Sequence, residues 1–204
     1  YTVVGVGRED GKTAGEYAPI FFKQAKYTLL DQNTFWLCEK PDSVGMVGWD
    51  AALTRIATWV KLQDKKTGQI LMVVNTHFDH IGTEARRNSA LLIIEKIKEI
   101  VGTSPAILTG DFNVSEDWDA YKTITNNEFI LKDAHKVAGK RTGVDFTYHN
   151  FGKIPAEKCE KIDFIFVTPQ IRVISSYIPF SQLNDTLFLS DHNPEIVELE
   201  IEKS

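Results

Sequence analysis

The chain has 204 residues, of which 43% are hydrophobic and 25% are charged, a composition that predicts one globular domain over residues 1–204. It excludes a disordered chain, and no apolar run approaches the ~18 residues that a membrane-spanning helix needs. The formal net charge of −5 excludes an overall positive field that would draw the chain onto nucleic acid. A nuclease stays open, because a local site can be basic on an acidic protein.

Short apolar runs separated by turn residues predict strands along most of the chain. The predicted strands are 1–4, 20–22, 27–30, 34–37, 55–62, 69–78, 161–168, 171–178 and 195–202, with a hairpin turn at 64–68. A stripe of apolar residues predicts a helix over 84–101, with Thr83 as its N-cap and Gly102 at its C-terminal cap. A shorter helix is predicted from a cap at Ser115 to about residue 124. Because strands outnumber helices, we expect an α/β fold with largely antiparallel sheets.

The two cysteines carry little information about function. Cys38 and Cys159 lie far apart in the sequence and fit no metal-binding spacing. We expect two thiols, and a single disulfide is the alternative. The sequence leaves the cellular compartment open, and a secreted or periplasmic protein is compatible with it.

Polar residues follow the ends of two predicted strands in the middle of the chain. Strand 69–78 carries Asn75 and His77 on one face, because side chains alternate along a strand. The next apolar run leads into Asp111 and Asn113, which the same spacing places on one side. Two such oxygen-bearing side chains can orient a water or approach a hard cation such as Mg²⁺. A satisfied histidine and an Asx-type turn at Asp111 are the structural alternatives.

Two more polar clusters lie in the last third of the chain. Asp163 lies on strand 161–168 among apolar neighbours, where a carboxylate needs a histidine or a basic partner. Asp191 and His192 lie in the loop before the last strand and point in different directions. One can therefore face a metal while the other faces a leaving group.

In this order the four clusters resemble the motifs of the endonuclease/exonuclease/phosphatase superfamily, to which deoxyribonuclease I belongs. The matching segments are 75–77, 110–113, 162–165 and 190–192, and the runs 4–17 and 34–50 resemble a bacterial branch of it. The resemblance implies a four-layer α/β sandwich of two packed mixed sheets with helices outside. It also implies hydrolysis of a phosphoester by in-line attack of water, dependent on Mg²⁺, with Mn²⁺ as the alternative.

The resemblance assigns catalytic and metal-binding roles residue by residue. It implies that Asp111 and Asn113 orient the water and bind metal, and that Asp191 is a metal ligand or lies in the metal's shell. It implies that His192 contacts the phosphate and serves in acid–base chemistry, held by Asp163.

A second group of residues is assigned to the substrate. His77 is expected to hydrogen-bond a phosphate oxygen or to donate the proton of the leaving group, paired with Glu16. Arg55 is expected to position a phosphate, and Arg8 and Tyr17 are further candidates for substrate contact. The aromatic residues of loop 146–151 would shape the substrate pocket, and a loop packed by its own aromatics is the alternative.

The chain departs from the family pattern at its start. Family members begin with a strand carrying an Asn, then a helix, then a strand whose Glu binds Mg²⁺, and neither residue precedes Gly5. Glu9, Glu16 and Glu39 lie in the wrong context to replace that Glu. We therefore expect the sequence to lack its N-terminal strand and helix, and a naturally shortened member is the alternative.

Three functions follow from these residues. The first is a metal-dependent phosphodiesterase or phosphatase acting on a small phosphorylated molecule, because the acidic balance disfavours large duplexes. The second is a nuclease acting on single-stranded or duplex nucleic acid, and a single strand could stack on the aromatics of loop 146–151. The third is a non-catalytic phosphate-binding module without the metal Glu. No protein partner can be inferred.

Overall fold

The computed structural model describes residues 1–102, 104–126, 131–184 and 187–201. Its strands are β1 (Thr2–Val4), β2 (Ile20–Phe22), β3 (Tyr27–Trp36), β4 (Ile56–Asp64), β5 (Ile70–His77), β6 (Ala106–Asp111), β7 (Lys132–Asp133), β8 (Lys140–Gly143), β9 (Asp163–Val167), β10 (Ile171–Ile178), β11 (Gln182–Asn184), β12 (Leu187–Phe188) and β13 (Ile196–Ile201). The helices are α1 (Thr83–Val101), α2 (Asp119–Thr125) and α3 (Ala134–Val137), with a 3₁₀ turn at Ala156–Lys158. Within these residues no helix is long and apolar enough to cross a membrane.

The strands form two main mixed sheets. The large sheet has six strands in the order β3-β4-β5-β6-β9-β7, and β5 and β6 are its parallel neighbours. A three-stranded sheet has the order β13-β10-β8, with β10 antiparallel to β13 and parallel to β8. The pairs β1–β2 and β11–β12 are separate antiparallel ribbons. The predicted α/β fold with mixed, largely antiparallel sheets is therefore confirmed.

The two faces of the large sheet bury different partners. Helices α1 and α2 cover one face, where Ile93 and Ile124 lie in the same buried cluster as Leu108 of β6. The other face packs against β1–β2 and the three-stranded sheet, and Ile107 of β6 packs against the buried cluster that contains Val173 of β10. Because side chains alternate along β6, one strand contributes to both cores. The polar ends of these strands remain at one edge of the sheet.

One predicted pair of strands is a single strand in the structure. The segment 27–30 and residues 34–36 of the second segment belong to the ten-residue strand β3, whose middle residues 31–33 are polar. Pairing with β4 runs along the whole of β3, with a register shift between Leu29 and Asp31. The partner strand satisfies the backbone groups there, so the polar side chains can face solvent without ending the strand.

Several smaller predictions can be compared with the structure. The hairpin turn at 64–68 is confirmed, and Gly68 adopts a φ of 74° there. The last strand is shorter than predicted, and residue 202 lies outside the described residues. Cys38 and Cys159 are both free thiols, as expected.

The prediction that Thr83 caps α1 is wrong. Thr83 is the first helical residue, and the N–H groups of Glu84 and Ala85 donate to the carboxylate of Asp50 at 3.2 and 2.7 Å. These bonds satisfy N–H groups that have no partner within the helix. At the other end, Gly102 lies at the C-cap with a positive φ, as predicted.

The predicted start of α2 at Ser115 is also wrong. Residues 115–118 form a turn in which the Trp118 N–H donates to the Ser115 carbonyl at 3.2 Å. The Ser115 hydroxyl donates to Asp117 at 3.0 Å instead of capping a helix. Helix α2 begins at Asp119, and the turn leaves the Trp118 ring partly exposed beside α1.

Candidate active site

Polar residues from separate parts of the chain meet at one edge of the large sheet. His77 at the end of β5 pairs with Asp111 at the end of the parallel strand β6. Asp163 at the start of β9 lies opposite Asp111 in the antiparallel register. An isolated bridge between His192 and Tyr148 holds the loop before β13 beside them. The structure thus brings the four predicted clusters together.

His192 is held by Asp163. Its Nδ1 lies 2.7 Å from Oδ2 of Asp163, and the backbone N–H of Asp163 donates to the Thr147 hydroxyl at 3.0 Å. Burial of the ring disfavours the imidazolium, but the hydrogen bond and charge of Asp163 outweigh it and raise the pKa of His192. Nε2 of the ring therefore remains as the N–H that can bind an anion.

Asp111 faces a second carboxylate. Burial and the negative charge of Asp163 raise the pKa of Asp111 to about 6. Asp111, Asp163 and His192 each offer a ligand atom, and these atoms lie within 4.8 Å of one another. The two facing carboxylates suit a divalent cation, because its charge would relieve their mutual repulsion, while the His192 ring keeps its proton beside Asp163. In the trio of Asp111, Asp163 and His192, the two carboxylates therefore fit a divalent metal ion.

Asn113 does not share a strand face with Asp111, so that prediction is wrong. Strand β6 ends at Asp111, and Asn113 adopts the left-handed conformation with a φ of 49°. Its backbone N–H donates to Oδ1 of Asp111 at 2.9 Å, and its side-chain amide donates to the Phe78 carbonyl at 3.0 Å. Asp111 therefore forms the Asx-type turn and also lies in the candidate site.

Asp191 lies beside the trio and is not one of its members among the described residues. Its carboxylate accepts a hydrogen bond from the Ser190 hydroxyl at 3.3 Å, and its carbonyl accepts from the His149 N–H at 3.0 Å. The predicted role of Asp191 as a metal ligand or a residue of the metal's shell stays a prediction.

The four residues predicted to bind substrate and the predicted catalytic residue His77 line one recess next to the trio. Its open volume is about 10 Å³, and it is lined by Arg8, Glu16, Tyr17, Arg55 and His77, together with Ala18 and Ile56. Arg8 forms an ion pair with Glu16, whose Oε2 also lies 3.9 Å from Nδ1 of His77. Burial, then the charge of Arg55, lowers the pKa of His77 to about 4. His77 is therefore neutral near neutral pH.

Arg55 has a buried donor without a partner. The residue is 4% exposed, its Nε donates to Oδ2 of Asp79 at 3.5 Å, and its Nη2 lies 3.1 Å from Nδ1 of His80. Its Nη1 finds no hydrogen-bond partner in the described part of the chain. A buried polar group left unpaired costs about 1–3 kcal/mol, so an anion bound in the recess would remove this cost.

Asp79 is a site residue that the sequence reasoning missed. It is 1% exposed and accepts hydrogen bonds from the N–H groups of Ile81 and Gly82, besides its contact with Arg55. These backbone donors outweigh the effect of burial and hold the pKa of Asp79 well below its usual range. Its position between His77 and His80 could have marked it as a candidate site residue. The contact with Arg55 could not be predicted, because the two residues are 24 positions apart in the sequence.

The aromatic loop 146–151 fits both interpretations in part. Phe146 and His149 pack with Phe180 of the next loop, as a self-packed loop would. Tyr148 instead places its ring 5.0 Å from the His192 ring, centroid to centroid. Tyr148 thus contacts the trio directly.

The fold and this edge together define an α/β protein of two packed mixed sheets with a polar site where the strands end. The model of the Endonuclease/Exonuclease/phosphatase family matches residues 13–192. The chain therefore belongs to the endonuclease/exonuclease/phosphatase family.

Solved structures from Bacteroides are similar over nearly the whole chain. An endonuclease/exonuclease/phosphatase from Bacteroides vulgatus is 65% identical with a TM-score of 0.95, covering 98% of this chain and 76% of that one. A mannosyl-6-phosphatase of Bacteroides thetaiotaomicron is 36% identical with a TM-score of 0.90, covering 98% and 77%. A curated protein of Acanthamoeba polyphaga mimivirus is 30% identical over 175 residues, which are 81% of this chain and 63% of that protein. This chain thus spans less than two thirds of that viral relative's length.

Proposed function

We propose that the protein hydrolyses phosphoester bonds with a divalent metal ion, Mg²⁺ or alternatively Mn²⁺. The observation that carries the proposal is that a candidate cation site, formed by the trio, lies beside a candidate anion site, the recess lined by Arg55. The trio of Asp111, Asp163 and His192 lies next to the recess into which Arg55 and His77 project. Further support comes from the family, whose members are hydrolytic phosphoesterases, and from the relative named as a phosphatase.

The residues of the recess bind and orient the phosphoryl group. Arg55 and Arg8 donate to its oxygens, and the unpartnered Nη1 of Arg55 gains an acceptor. His77 donates a hydrogen bond through its neutral ring, because a pKa of about 4 means that it is not an imidazolium acid near neutral pH. Of its two predicted roles, the low pKa favours phosphate binding over protonation of the leaving group.

The residues of the trio act on the water and the leaving group. Asp111 orients the attacking water, and Asn113, predicted as its partner, fixes Asp111 through its backbone N–H. His192 has a raised pKa and carries the proton that the departing oxygen needs. A bound divalent cation supplies charge neutralisation of phosphoryl oxygens and lowers the pKa of water.

We propose a small phosphorylated molecule, a sugar phosphate foremost, as the substrate. The net charge of −5 provides no general attraction for a long polyanion. The cleft that contains Tyr17, His77, Asp111 and Asp163 has a volume of about 430 Å³, which lies in the range of small-molecule sites. The name of the mannosyl-6-phosphatase points to the same class of substrate.

The test incubates the full-length protein and Mg²⁺ with p-nitrophenyl phosphate, bis(p-nitrophenyl) phosphate, mannose 6-phosphate and a single-stranded oligonucleotide. We expect turnover of small esters that EDTA abolishes and Mg²⁺ restores. Asp111→Asn should lower kcat at least about 100-fold. Asp42→Asn, at an exposed carboxylate, is the matched control and should keep full activity.

Other outcomes would replace the proposal. Cleavage of the oligonucleotide without turnover of any small ester would make the protein a nuclease. Binding of inorganic phosphate by a folded protein that turns over none of the four substrates would make it a binding module.

A further inference from the structure

A second cavity lies on the helical side of the large sheet, away from the candidate active site. It has a volume of about 270 Å³ and lies between the first turn of α1 and the turn before α2. Its lining consists of Thr83, Arg86, Arg87, Asp117, Trp118, Asp119 and Ala120. This volume lies just below the usual range for small-molecule sites and suits a ligand of about one ring.

A tryptophan on a fixed arginine forms the centre of this cavity. Trp118 is 41% exposed, and the guanidinium carbon of Arg86 lies 4.8 Å from its ring centroid. Arg86 is 4% exposed, and it donates to the Asp79 carbonyl at 3.0 Å and to the Thr83 hydroxyl at 3.4 Å. These bonds fix the arginine, which in turn supports the indole ring as a rigid surface.

One donor of this arginine is unused. Nε of Arg86 is buried and has no hydrogen-bond partner among the residues that the structure describes. Such a donor costs free energy until a ligand or a water accepts from it. Because Arg86 lines the cavity, this unused donor belongs to the cavity wall.

The charges that line the cavity cancel. Arg86 and Arg87 provide two positive charges, and Asp117 and Asp119 provide two negative ones. The first-turn N–H groups of α1 already donate to Asp50, so the helix end offers no free anion site there. A charged ligand therefore gains no net Coulomb attraction from this lining.

A neutral ligand with many hydroxyl groups matches this lining better than any charged one. Hydroxyls accept from guanidinium groups and donate to carboxylates at the same time, so both kinds of charge are used. The C–H face of a pyranose ring can pack on the indole, because the ring face is negative and the C–H hydrogens are positive. A nucleic acid strand would instead need a positively charged groove beside its stacking residue.

We propose that the cavity between α1 and Trp118 binds a neutral sugar residue. The cavity shares no lining residue with the phosphate recess, although Arg86 of the cavity contacts Asp79, which in turn contacts Arg55 of the recess. A sugar bound there would lie on the far side of the Asp79 loop from the reacting group. The proposal concerns binding alone and holds whether or not the protein hydrolyses a phosphoester.

Ligand-observed NMR on the full-length protein tests the proposal, with the methyl α-glycosides of mannose, glucose and galactose as neutral probes. We expect saturable binding of at least one glycoside, weakened at least about tenfold in Trp118→Ala and largely restored in Trp118→Phe. Tyr177→Ala, at an equally exposed aromatic on β10, is the matched control and should bind as the parent does. Inorganic phosphate should not displace the glycoside, because its recess is separate.

Three results would overturn the proposal. They are the absence of saturable binding for all three glycosides, binding that persists unchanged in Trp118→Ala, and Trp118-dependent binding of adenosine instead of a glycoside. Circular dichroism of each variant shows whether the fold is retained. A failure of hydrolysis leaves these readouts unaffected, so the two proposals can fail separately.

Discussion

The imidazole of His192 and the carboxylate of Asp163 share a 2.7 Å hydrogen bond although 29 residues separate them in sequence. Asp163 belongs to β9 of the large sheet, whereas His192 lies in the loop that leads to β13 of the three-stranded sheet. The bond therefore spans the two sheets, and the candidate active site exists only where they pack together.

Replacing the orienting carboxylate should disable the site without unfolding the protein. In Asp163→Asn the amide can no longer stabilise the imidazolium or select its tautomer, so we expect kcat to fall about 10²–10⁴-fold with little change in KM. Steady-state kinetics on p-nitrophenyl phosphate with Mg²⁺ measure this effect. A loss smaller than about tenfold would show that Asp163 does not act through His192.

Replacing Arg55 by lysine should weaken phosphate binding. Lysine keeps a positive charge near Asp79 but loses the planar fork and the unpartnered Nη1. We expect kcat/KM to fall about 10–100-fold, and the inhibition constant of inorganic phosphate to rise in proportion. Arg172→Lys, at an exposed arginine of β10, is the control and should change neither quantity. An unchanged phosphate constant would remove Arg55 from the substrate site.

Asp50, which caps the N-terminus of α1, should contribute to thermal stability. Asp50→Ala removes the acceptor for the N–H groups of Glu84 and Ala85, so we expect the Tm to fall by about 2 °C or more. Thermal unfolding followed by circular dichroism measures the change. Asp42→Ala, at an exposed aspartate, should unfold at the parent temperature. Equal Tm values for the two variants would contradict the capping role.

The buried His149 should make the fold sensitive to acid. Its Nδ1 accepts a hydrogen bond from the Gly152 N–H, and its Nε2 has no partner among the described residues. Burial of the ring is the main cause that lowers the pKa of His149, and the positive charge of His192 adds to it. In the unfolded chain His149 binds a proton at a higher pH than in the folded chain. The free energy of unfolding therefore decreases as the pH falls below about 6.5. Urea unfolding of metal-free protein between about pH 7 and pH 5 measures the slope, which His149→Phe should reduce. An identical slope in the variant would contradict this role.

Much of the candidate site could be predicted because strand alternation is local. His77 follows Asn75 by two residues on β5, so their shared face needed no knowledge of the neighbouring strands. The same rule failed at Asn113, because a left-handed turn directly after Asp111 breaks the alternation. The α/β class could be predicted from the number and length of the apolar runs. The polar middle of β3 made one strand look like two, and only its pairing with β4 shows that it is continuous.

The sequence by itself determined the kinds of residue at the strand ends, their order along the chain, and through that order the resemblance to a family. The tertiary structure alone decided which of them meet. Asp50 caps α1 from 35 residues away, Asp79 pairs with Arg55, and Arg86 supports Trp118. Each of these contacts depends on sheet order and helix packing, which bring distant segments within a few ångströms. Local periodicity fixes which way a side chain points, and long-range packing fixes what it touches.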